Sequence, residues 1–274
     1  MVRRSATDRP RYQTALGRYV REVLEKHAIA SAFQYRHNIP PAGMALPKAV
    51  SFRLLGDRCT RGCAFCGVPH SRRPPRPDTR EPVKIAHAVD ELALDNVILT
   101  SVHRDDLKDG GAGHFARTVS EIKKRRPWAI VEASIPDFRA ERGTVERLVA
   151  SSPDVISHNM GGVRKQLQSG RNERLGFRRS LNVLERIRES NPDITTRSSM
   201  LVGMGESWGE VLGAMRLVRR AGVEELKLLQ YFRPSAKHPP VSEYVDAERF
   251  EFYGRAAYQL GFRRVSCGVP GRTR

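Results

Sequence analysis

Short apolar stretches typical of strands alternate with amphipathic stretches typical of helices along most of this chain. The strand candidates are 49–55, 96–102, 129–134, 155–158, 195–202 and 225–231, with a last short strand ending near residue 267. The helix candidates are 82–93, 114–125, 142–150, 177–189, 207–221 and 247–260. Six or more such repeats indicate parallel strands joined by crossover helices. The sequence therefore predicts an α/β fold, a full or partial (β/α) barrel, with an open doubly wound sheet as the alternative.

The residues before the first of these strands have a different character. Apolar residues at helical spacing predict a helix over 11–34, and the segment 37–48 holds three prolines and a glycine, which is typical of an irregular connector. We therefore divide the chain into an N-terminal helical extension and connector, residues 1–48, and a barrel domain, residues 49–274.

The chain has a formal net charge of +18, which suits nucleic acid, an anionic membrane surface, an acidic protein partner, or simply a solvated Arg-rich surface. Aromatic residues make up only 7%, and no strand interleaves aromatic and basic residues, so a basic nucleic-acid-binding protein is the weaker alternative. No apolar stretch is long enough to span a membrane. The basic start of the chain lacks the apolar stretch of an export signal, so we expect a cytoplasmic location.

Three of the four cysteines, Cys59, Cys63 and Cys66, form a C-x3-C-x2-C loop directly after a predicted strand. Three thiolates can hold three corners of a cubane [4Fe–4S] cluster, whereas a closed cluster would take a fourth ligand. The fourth cysteine, Cys267, is far away in sequence, so one iron would be open to an exogenous ligand. The alternative is a structural zinc site completed by His70 or Cys267.

This loop, with the aromatic Phe65 before its last cysteine, resembles the cluster loop of the radical S-adenosylmethionine (radical SAM) superfamily. The resemblance implies a barrel fold and an open iron that chelates the amino and carboxylate groups of SAM. It also implies one-electron cleavage of SAM to a 5′-deoxyadenosyl radical. No acid–base side chain is needed for hydrogen abstraction by that radical, so the resemblance names no catalytic residue.

Within that superfamily the chain is similar to lipoyl synthase over roughly residues 50 to 268. The similarity is carried by 54–60 (LLGDRCT), Asp78, Glu81, Pro82, 100–112 (TSVHRDDLKDGGA), 136–139 (PDFR), Pro153, Asp154, His158, Asn159, 202–206 (VGMGE), Gln230, Tyr231, Pro234, Ser235, His238 and 241–245. It implies hydrogen abstraction from an octanoyl-type chain, followed by sulfur insertion.

The same resemblance supplies the cofactor-binding candidates, which are Phe65, Gly110, Gly111, Asn159, Arg197 and Glu206. Gly110 and Gly111 would meet the amino group of SAM, although an ordinary turn is the alternative. Asn159 would contact the ribose, although it is as readily a strand-capping amide. Arg197 stands where the family usually has a lysine, and Glu206 is equally suited to a helix N-terminus.

The chain departs from lipoyl synthases where those enzymes hold a second, sacrificial [4Fe–4S] cluster as the sulfur source. The family's amino-terminal cysteines have no counterpart in 27–48, and Thr273 is a poor substitute for its carboxy-terminal serine ligand. We therefore expect one cluster. Two readings stay open: a lipoyl synthase that takes sulfur from a separate donor, or a diverged enzyme that performs another radical reaction without sulfur insertion.

The resemblance also implies partners. They are an acidic lipoyl carrier domain, whose binding should weaken as salt rises, and an electron donor such as flavodoxin or ferredoxin. The missing ligands of the second cluster add a separate sulfur donor to these expectations.

Overall fold

The computed structural model describes residues 15–29, 33–35, 49–163 and 173–269. The strands are β1 Phe33–Tyr35, β2 Ala49–Leu54, β3 Asn96–Ser101, β4 Ile130–Ile135, β5 Val155–Gly162, β6 Thr195–Val202, β7 Glu225–Gln230 and β8 Arg264–Gly268. The helices are α1 Ala15–Lys26, α2 Glu81–Glu91, α3 Ala112–Arg125, α4 Arg142–Val149, α5 Glu173–Ser190, α6 Trp208–Arg220 and α7 Ala247–Gln259. None of these helices is long and apolar enough to cross a membrane.

The strands lie in one sheet in the order of the sequence, and β2 to β8 are parallel to one another. A doubly wound sheet would reverse its strand order at a switch point, whereas a barrel adds each strand to the same side. β1 lies at one edge and β8 at the other. The structure confirms the prediction of an α/β fold and identifies it as a partial barrel.

The amino-terminal region differs from the predicted helix over 11–34. The helix α1 ends at Lys26, and β1 then pairs antiparallel with β2, with Phe33 opposite Phe52. A strand of three residues carries too short a pattern to be separated from a helix by periodicity. It covers backbone groups of β2 that the parallel strands leave unpaired.

Helix α1 of the amino-terminal region packs against the apolar core that lies between the strands and the surrounding helices. Val20, Val23 and Leu24 of α1 are buried in the same apolar cluster as residues of β2 and α2. The division at residue 48 stays a prediction, and the predicted connector 37–48 lies outside the described residues.

The strands present apolar side chains to the helices and polar side chains to the inside of the barrel. Phe52, Leu54 and Leu99 are fully buried against the helices. The intervening positions carry the polar side chains Ser51, Arg53, Thr100, Glu132 and Ser134, which line an internal cavity. This alternation follows from the two-residue period of a strand. It leaves a hydrophilic interior in which a polar ligand can be bound.

Gly203 follows β6 at a point where two loops meet. Its φ is +95°, in the left-handed region, and its carbonyl accepts hydrogen bonds from the backbone N–H groups of Ser242 and Glu243. A Cβ at this position would collide with the Glu243 carbonyl and the Gln230 side chain. The close contact of these two loops therefore requires glycine.

We expect Gly203→Ala to lower the free energy of unfolding by at least about 2 kcal/mol, because it combines a left-handed alanine with a backbone collision. Anaerobic urea unfolding measures this change. The control is Gly213→Ala in α6, where nothing lies within 4 Å of the added Cβ and where alanine should add about 0.5–1 kcal/mol. Equal effects of the two substitutions would contradict this account of Gly203.

Candidate active site

The cysteine loop follows β2 directly and folds back on itself. The Cys59 N–H donates to the Pro69 carbonyl at 2.9 Å, the Ser71 N–H donates to the Cys59 carbonyl at 2.9 Å, and the Cys66 N–H donates to the Cys63 carbonyl at 3.0 Å. Burial, followed by the neighbouring Cys66 and Cys59, raises the pKa of the Cys63 thiol. The three thiols therefore share one half-buried site, and a thiolate set of this kind suits iron in a [4Fe–4S] cluster.

The two residues considered as extra metal ligands lie in different places. The His70 ring lies 3.6 Å from the Cβ position of Gly62 in the cysteine loop. Cys267 lies on β8, packed with the apolar cluster around α6 and α7, and burial raises the pKa of its thiol to about 11. In the described ranges, no three His, Cys, Asp or Glu side chains converge on one metal ion. A zinc ion needs such convergence, whereas each thiolate of a cubane cluster binds its own iron.

A cavity of about 350 Å³ lies inside the barrel beside the cysteine loop. Cys59 and Cys66 form part of its wall, as does His103 from the loop after β3. The other lining residues come from the inner faces and carboxyl ends of β2 to β7 and from the cysteine loop: Ser51, Arg53, Val68, Ile98, Thr100, Ser101, Val102, Glu132, Ser134, Ser157, Asn159, Arg197, Ser198, Ser199, Lys227 and Leu229. Their hydroxyl, amide and charged groups suit a polar, zwitterionic ligand.

Two of the predicted SAM contacts line this cavity. Asn159 lies beside an irregularity in the β5–β6 pairing, and its side-chain oxygen accepts a hydrogen bond from Ser199 at 2.6 Å. The Arg197 side chain donates to Glu225 at 2.8 and 2.5 Å and also to Glu132. Arg197 therefore stands fixed between carboxylates of β4 and β7.

The predicted glycines have a packing role that the sequence does not show. Gly110 and Gly111 are both left-handed, with φ of 62° and 96°. An added Cβ on Gly110 would lie 3.3 Å from Phe138 Cα, and one on Gly111 would collide with Leu55. The small size of Gly111 lets the start of α3 pack closely against the segment that leads into the cysteine loop, and that of Gly110 lets it pack against the turn after β4. Their contact with SAM stays a prediction.

Glu206 and Phe65 are the remaining candidates. The Glu206 carboxylate accepts hydrogen bonds from the backbone N–H groups of Gly203 at 2.5 Å and Met204 at 3.0 Å, so it shapes the loop after β6. Phe65 is half-buried within the cysteine loop. Their contact with SAM also stays a prediction.

Three histidines near the site make hydrogen bonds, and His158 among them is buried. His158 bonds to the Ile135 carbonyl at 2.9 Å and to Ser180 at 2.8 Å. His114 bonds to Glu81 at 2.7 Å. His238 bonds to the Cys66 carbonyl at 3.1 Å, so the loop after β7 supports the cysteine loop.

The acidic residues in 103–109 separate into three roles. Asp105 pairs with Arg61 of the cysteine loop, Asp106 pairs with the buried Arg104, and Asp109 accepts the backbone N–H groups of Gly111 and Gly113. Sequence reasoning did not identify the partners of these acidic residues. Arg61 was missed although it is the one charged residue between the cysteines, and that position was the available signal.

Residues 54–223 match the Radical SAM superfamily, and this match covers more than half of the chain. The chain therefore belongs to the radical SAM superfamily. This membership implies a [4Fe–4S] cluster and SAM as cofactors, as expected from the cysteine loop.

The chain is also similar to lipoyl synthases. It is 46% identical to the mitochondrial lipoyl synthase of Populus trichocarpa over 221 residues, which are 80% of this chain and 57% of that protein. It is 44% identical to the mitochondrial lipoyl synthase of Arabidopsis thaliana, of which it covers 59%. The resemblance to lipoyl synthase is confirmed, and the chain spans less than two thirds of the length of these relatives.

Solved structures show the same fold at low sequence identity. The FeFe-hydrogenase maturase HydG from Carboxydothermus hydrogenoformans has a TM-score of 0.60 and 16% identity, over 80% of this chain and 52% of its own. Streptococcus suis SuiB bound to S-adenosylmethionine has a TM-score of 0.61 and 11% identity, over 93% and 54%. At these identities the likeness supports the barrel fold alone.

The expected cytoplasmic location is wrong, because the lipoyl synthases that the chain matches are named as mitochondrial. The expectation rested on the lack of an apolar export signal. Mitochondrial transit peptides are amphipathic and Arg-rich. The lack of an apolar export signal therefore does not distinguish a cytoplasmic protein from a mitochondrial one.

We expect Arg197→Met to lower the free energy of unfolding by about 3 kcal/mol, because it removes the cation between the Glu132 and Glu225 carboxylates, although the exposed Arg264 still pairs with Glu225. The side chains of Arg197, Glu132 and Glu225 are at most 16% exposed. Arg197→Lys keeps the positive charge but cannot bind both carboxylates in the same way. It should therefore lower the free energy of unfolding by less than Arg197→Met does. Chemical denaturation measures both.

The matched control is Arg188→Met, because Arg188 pairs with Glu224 at 3.1 Å while its side chain is 39% exposed. An exposed pair contributes about 1 kcal/mol or less. A loss at Arg197 no larger than that at Arg188 would refute the inner ion-pair role.

Proposed function

We propose that this chain is a lipoyl-synthase-type radical SAM enzyme, which abstracts hydrogen from an octanoyl-type chain on a carrier domain so that sulfur can be inserted. The observation that carries the proposal is the cysteine loop at the wall of a polar barrel cavity, in a chain 46% identical to a lipoyl synthase over 221 residues. The segment 100–112, which carries much of the resemblance to this family, begins at the end of β3, and residues 100–103 line the same cavity.

The residues of the chain divide the work. Cys59, Cys63 and Cys66 would hold three irons, and Asn159 and Arg197 would orient SAM within the cavity. When bound, the cluster and SAM would supply the radical chemistry that abstracts hydrogen from the substrate. The barrel wall keeps water and other hydrogen donors away from the reacting chain. Gly110, Gly111, Glu206 and Phe65 complete the proposed SAM site through the loops that they shape.

The sulfur source is the part of the reaction that these residues do not provide. The sequence has four cysteines, of which three form the cluster loop and Cys267 lies apart on β8. We therefore propose that these 274 residues bind one cluster and that a separate donor delivers the sulfur. A radical reaction without sulfur insertion is the second candidate, although the similarity to lipoyl synthases does not favour it.

The high positive charge supports acidic partners. The formal net charge is +18, and complementary charge steers association and makes it sensitive to salt. We propose an acidic lipoyl carrier domain as the bearer of the substrate, and a flavodoxin or ferredoxin as the electron donor.

We expect Cys63→Ala to lose both the cluster and the reductive cleavage of SAM, whereas Cys267→Ala keeps both. The wild-type chain should bind roughly four irons after anaerobic reconstitution, and 5′-deoxyadenosine should form after addition of dithionite. Iron analysis and chromatography of the nucleoside products measure these changes. About eight irons would contradict the single cluster, and SAM cleavage by Cys63→Ala would contradict the site.

We expect a deuterated octanoyl-lysyl peptide to transfer deuterium to 5′-deoxyadenosine, because the radical abstracts hydrogen from the chain. Mass spectrometry of both products distinguishes the two candidates. Thiolated peptide formed with an added sulfur donor supports lipoyl synthesis. Deuterium transfer without sulfur addition under all donor conditions supports the second candidate, and no transfer at all refutes an octanoyl substrate.

A further inference from the structure

Arg61 lies between two cysteines of the cluster loop and binds two carboxylates at once. Its Nε and Nη2 donate to Asp105 at 2.8 and 2.7 Å. Its Nη1 and Nη2 donate to Asp137 at 2.7 and 2.9 Å. Asp105 belongs to the loop after β3 and Asp137 to the loop after β4. One guanidinium therefore joins three consecutive loops, in the bidentate geometry that arginine alone provides.

Asp137 is also held in position by a strained turn, independently of Arg61. Phe138, Arg139 and Ala140 have φ values of 41°, 56° and 54°, although none of them is glycine. Left-handed backbone costs about 1–2 kcal/mol per residue and persists where the surroundings fix it. The turn directs the Arg139 N–H to the Asp137 carboxylate at 3.0 Å. The Asp137 side chain is only 4% exposed.

Asp105 is held by the cysteine loop itself. The Thr60 hydroxyl lies 3.0 Å from the Asp105 carboxylate, and the Asp105 N–H donates to the Thr60 oxygen at 3.0 Å. The Thr60 N–H donates to the His103 carbonyl at 2.9 Å. Both carboxylates are therefore fixed in position beside the segment that joins Cys59 to Cys63.

These groups keep a defined charge at neutral pH. Burial opposes ionisation of Asp137 and Asp105, but Arg61 outweighs it and lowers the pKa of each carboxyl below its ordinary value. Burial, and then the charge of Arg61, lowers the pKa of His103 to about 4, so this side chain is neutral. Two anions thus face one half-buried cation, and the more exposed Arg179 lies 3.6 Å from Asp137.

We propose that Arg61 is a positioning residue that fixes the cysteine loop and raises the reduction potential of its cluster by offsetting the charges of Asp105 and Asp137. The inference rests on the cluster of the proposed function, and not on the identity of the substrate. Reduction adds negative charge to a cluster, so a nearby cation favours it and an unpaired carboxylate opposes it.

A purely mechanical role makes a different prediction from an electrostatic one. Arg61→Gln and Asp105→Asn both weaken the same hydrogen-bonded bridge, so a mechanical role predicts shifts of potential in one direction. The two substitutions remove charges of opposite sign. The electrostatic role therefore predicts a lower potential for Arg61→Gln and a higher potential for Asp105→Asn.

The experiment is an EPR-monitored redox titration of the reconstituted full chain, after iron analysis has confirmed the cluster in the wild type. We expect the double variant R61Q/D105N, whose net charge equals that of the wild type, to return towards the wild-type potential. Asp95→Asn is the matched control, because Asp95 pairs with Arg126 at 3.2 Å just before β3 begins, at the opposite end of the barrel. The cluster of the Asp95→Asn variant should have the same reduction potential as that of the wild type.

Potentials that shift in the same direction for both single variants, or that do not shift, would overturn the proposal. If Arg61→Gln fails to hold a cluster, Arg61→Lys replaces it. The lysine variant should then stay near the wild-type potential while Asp105→Asn rises, and an unchanged Asp105→Asn would overturn the proposal. A wild-type chain without iron would instead refute the proposed function, and the inference with it.

Discussion

The bridge from Arg61 to Asp105 and Asp137 is the interaction on which the site depends. The three thiols lie on a loop that has little regular structure of its own. The bridge joins this loop to the segments after β3 and β4, and Thr60 and His103 add backbone hydrogen bonds to the same contact. The loops after three neighbouring strands are therefore tied together, and residues of the cysteine loop and of the loop after β3 form part of the cavity wall.

The barrel supplies the other walls through the alternation of side chains along its strands. Residues such as Phe52 and Leu99 face the helices, while their neighbours Arg53 and Thr100 face the cavity. The interior is consequently charged and hydroxylated, with Arg197 set between two carboxylates. Fixed charges of this kind can orient a zwitterionic cofactor without rearranging when it binds.

Much of the fold and one part of the site could be predicted from the sequence. The strand and helix patterns identified the barrel elements from β2 to β8, because each element is long enough to show its period. The cysteine spacing identified the cluster loop, because its ligands are close together in the sequence. Strand β1 was missed because three residues are too few to show a period.

The ion pairs of the site could not be predicted in the same way. Arg61 lies 44 residues from Asp105 and 76 residues from Asp137, and only the barrel brings them together. The glycines at 110 and 111 were expected to approach a ligand, but the sequence could not show that Leu55 and Phe138 already require them to be small. Packing and long-range charge depend on the folded chain, and residue spacing does not report them.

The proposed function requires that the cysteine loop leave one iron of the cluster open to SAM. Electron–nuclear double resonance of the reduced protein, mixed with SAM labelled by ¹⁷O in the carboxylate and ¹⁵N in the amino group, tests it most directly. We expect hyperfine coupling of both labels to the cluster, since both groups would chelate the same iron. A reduced cluster that shows no coupling to either label would contradict it.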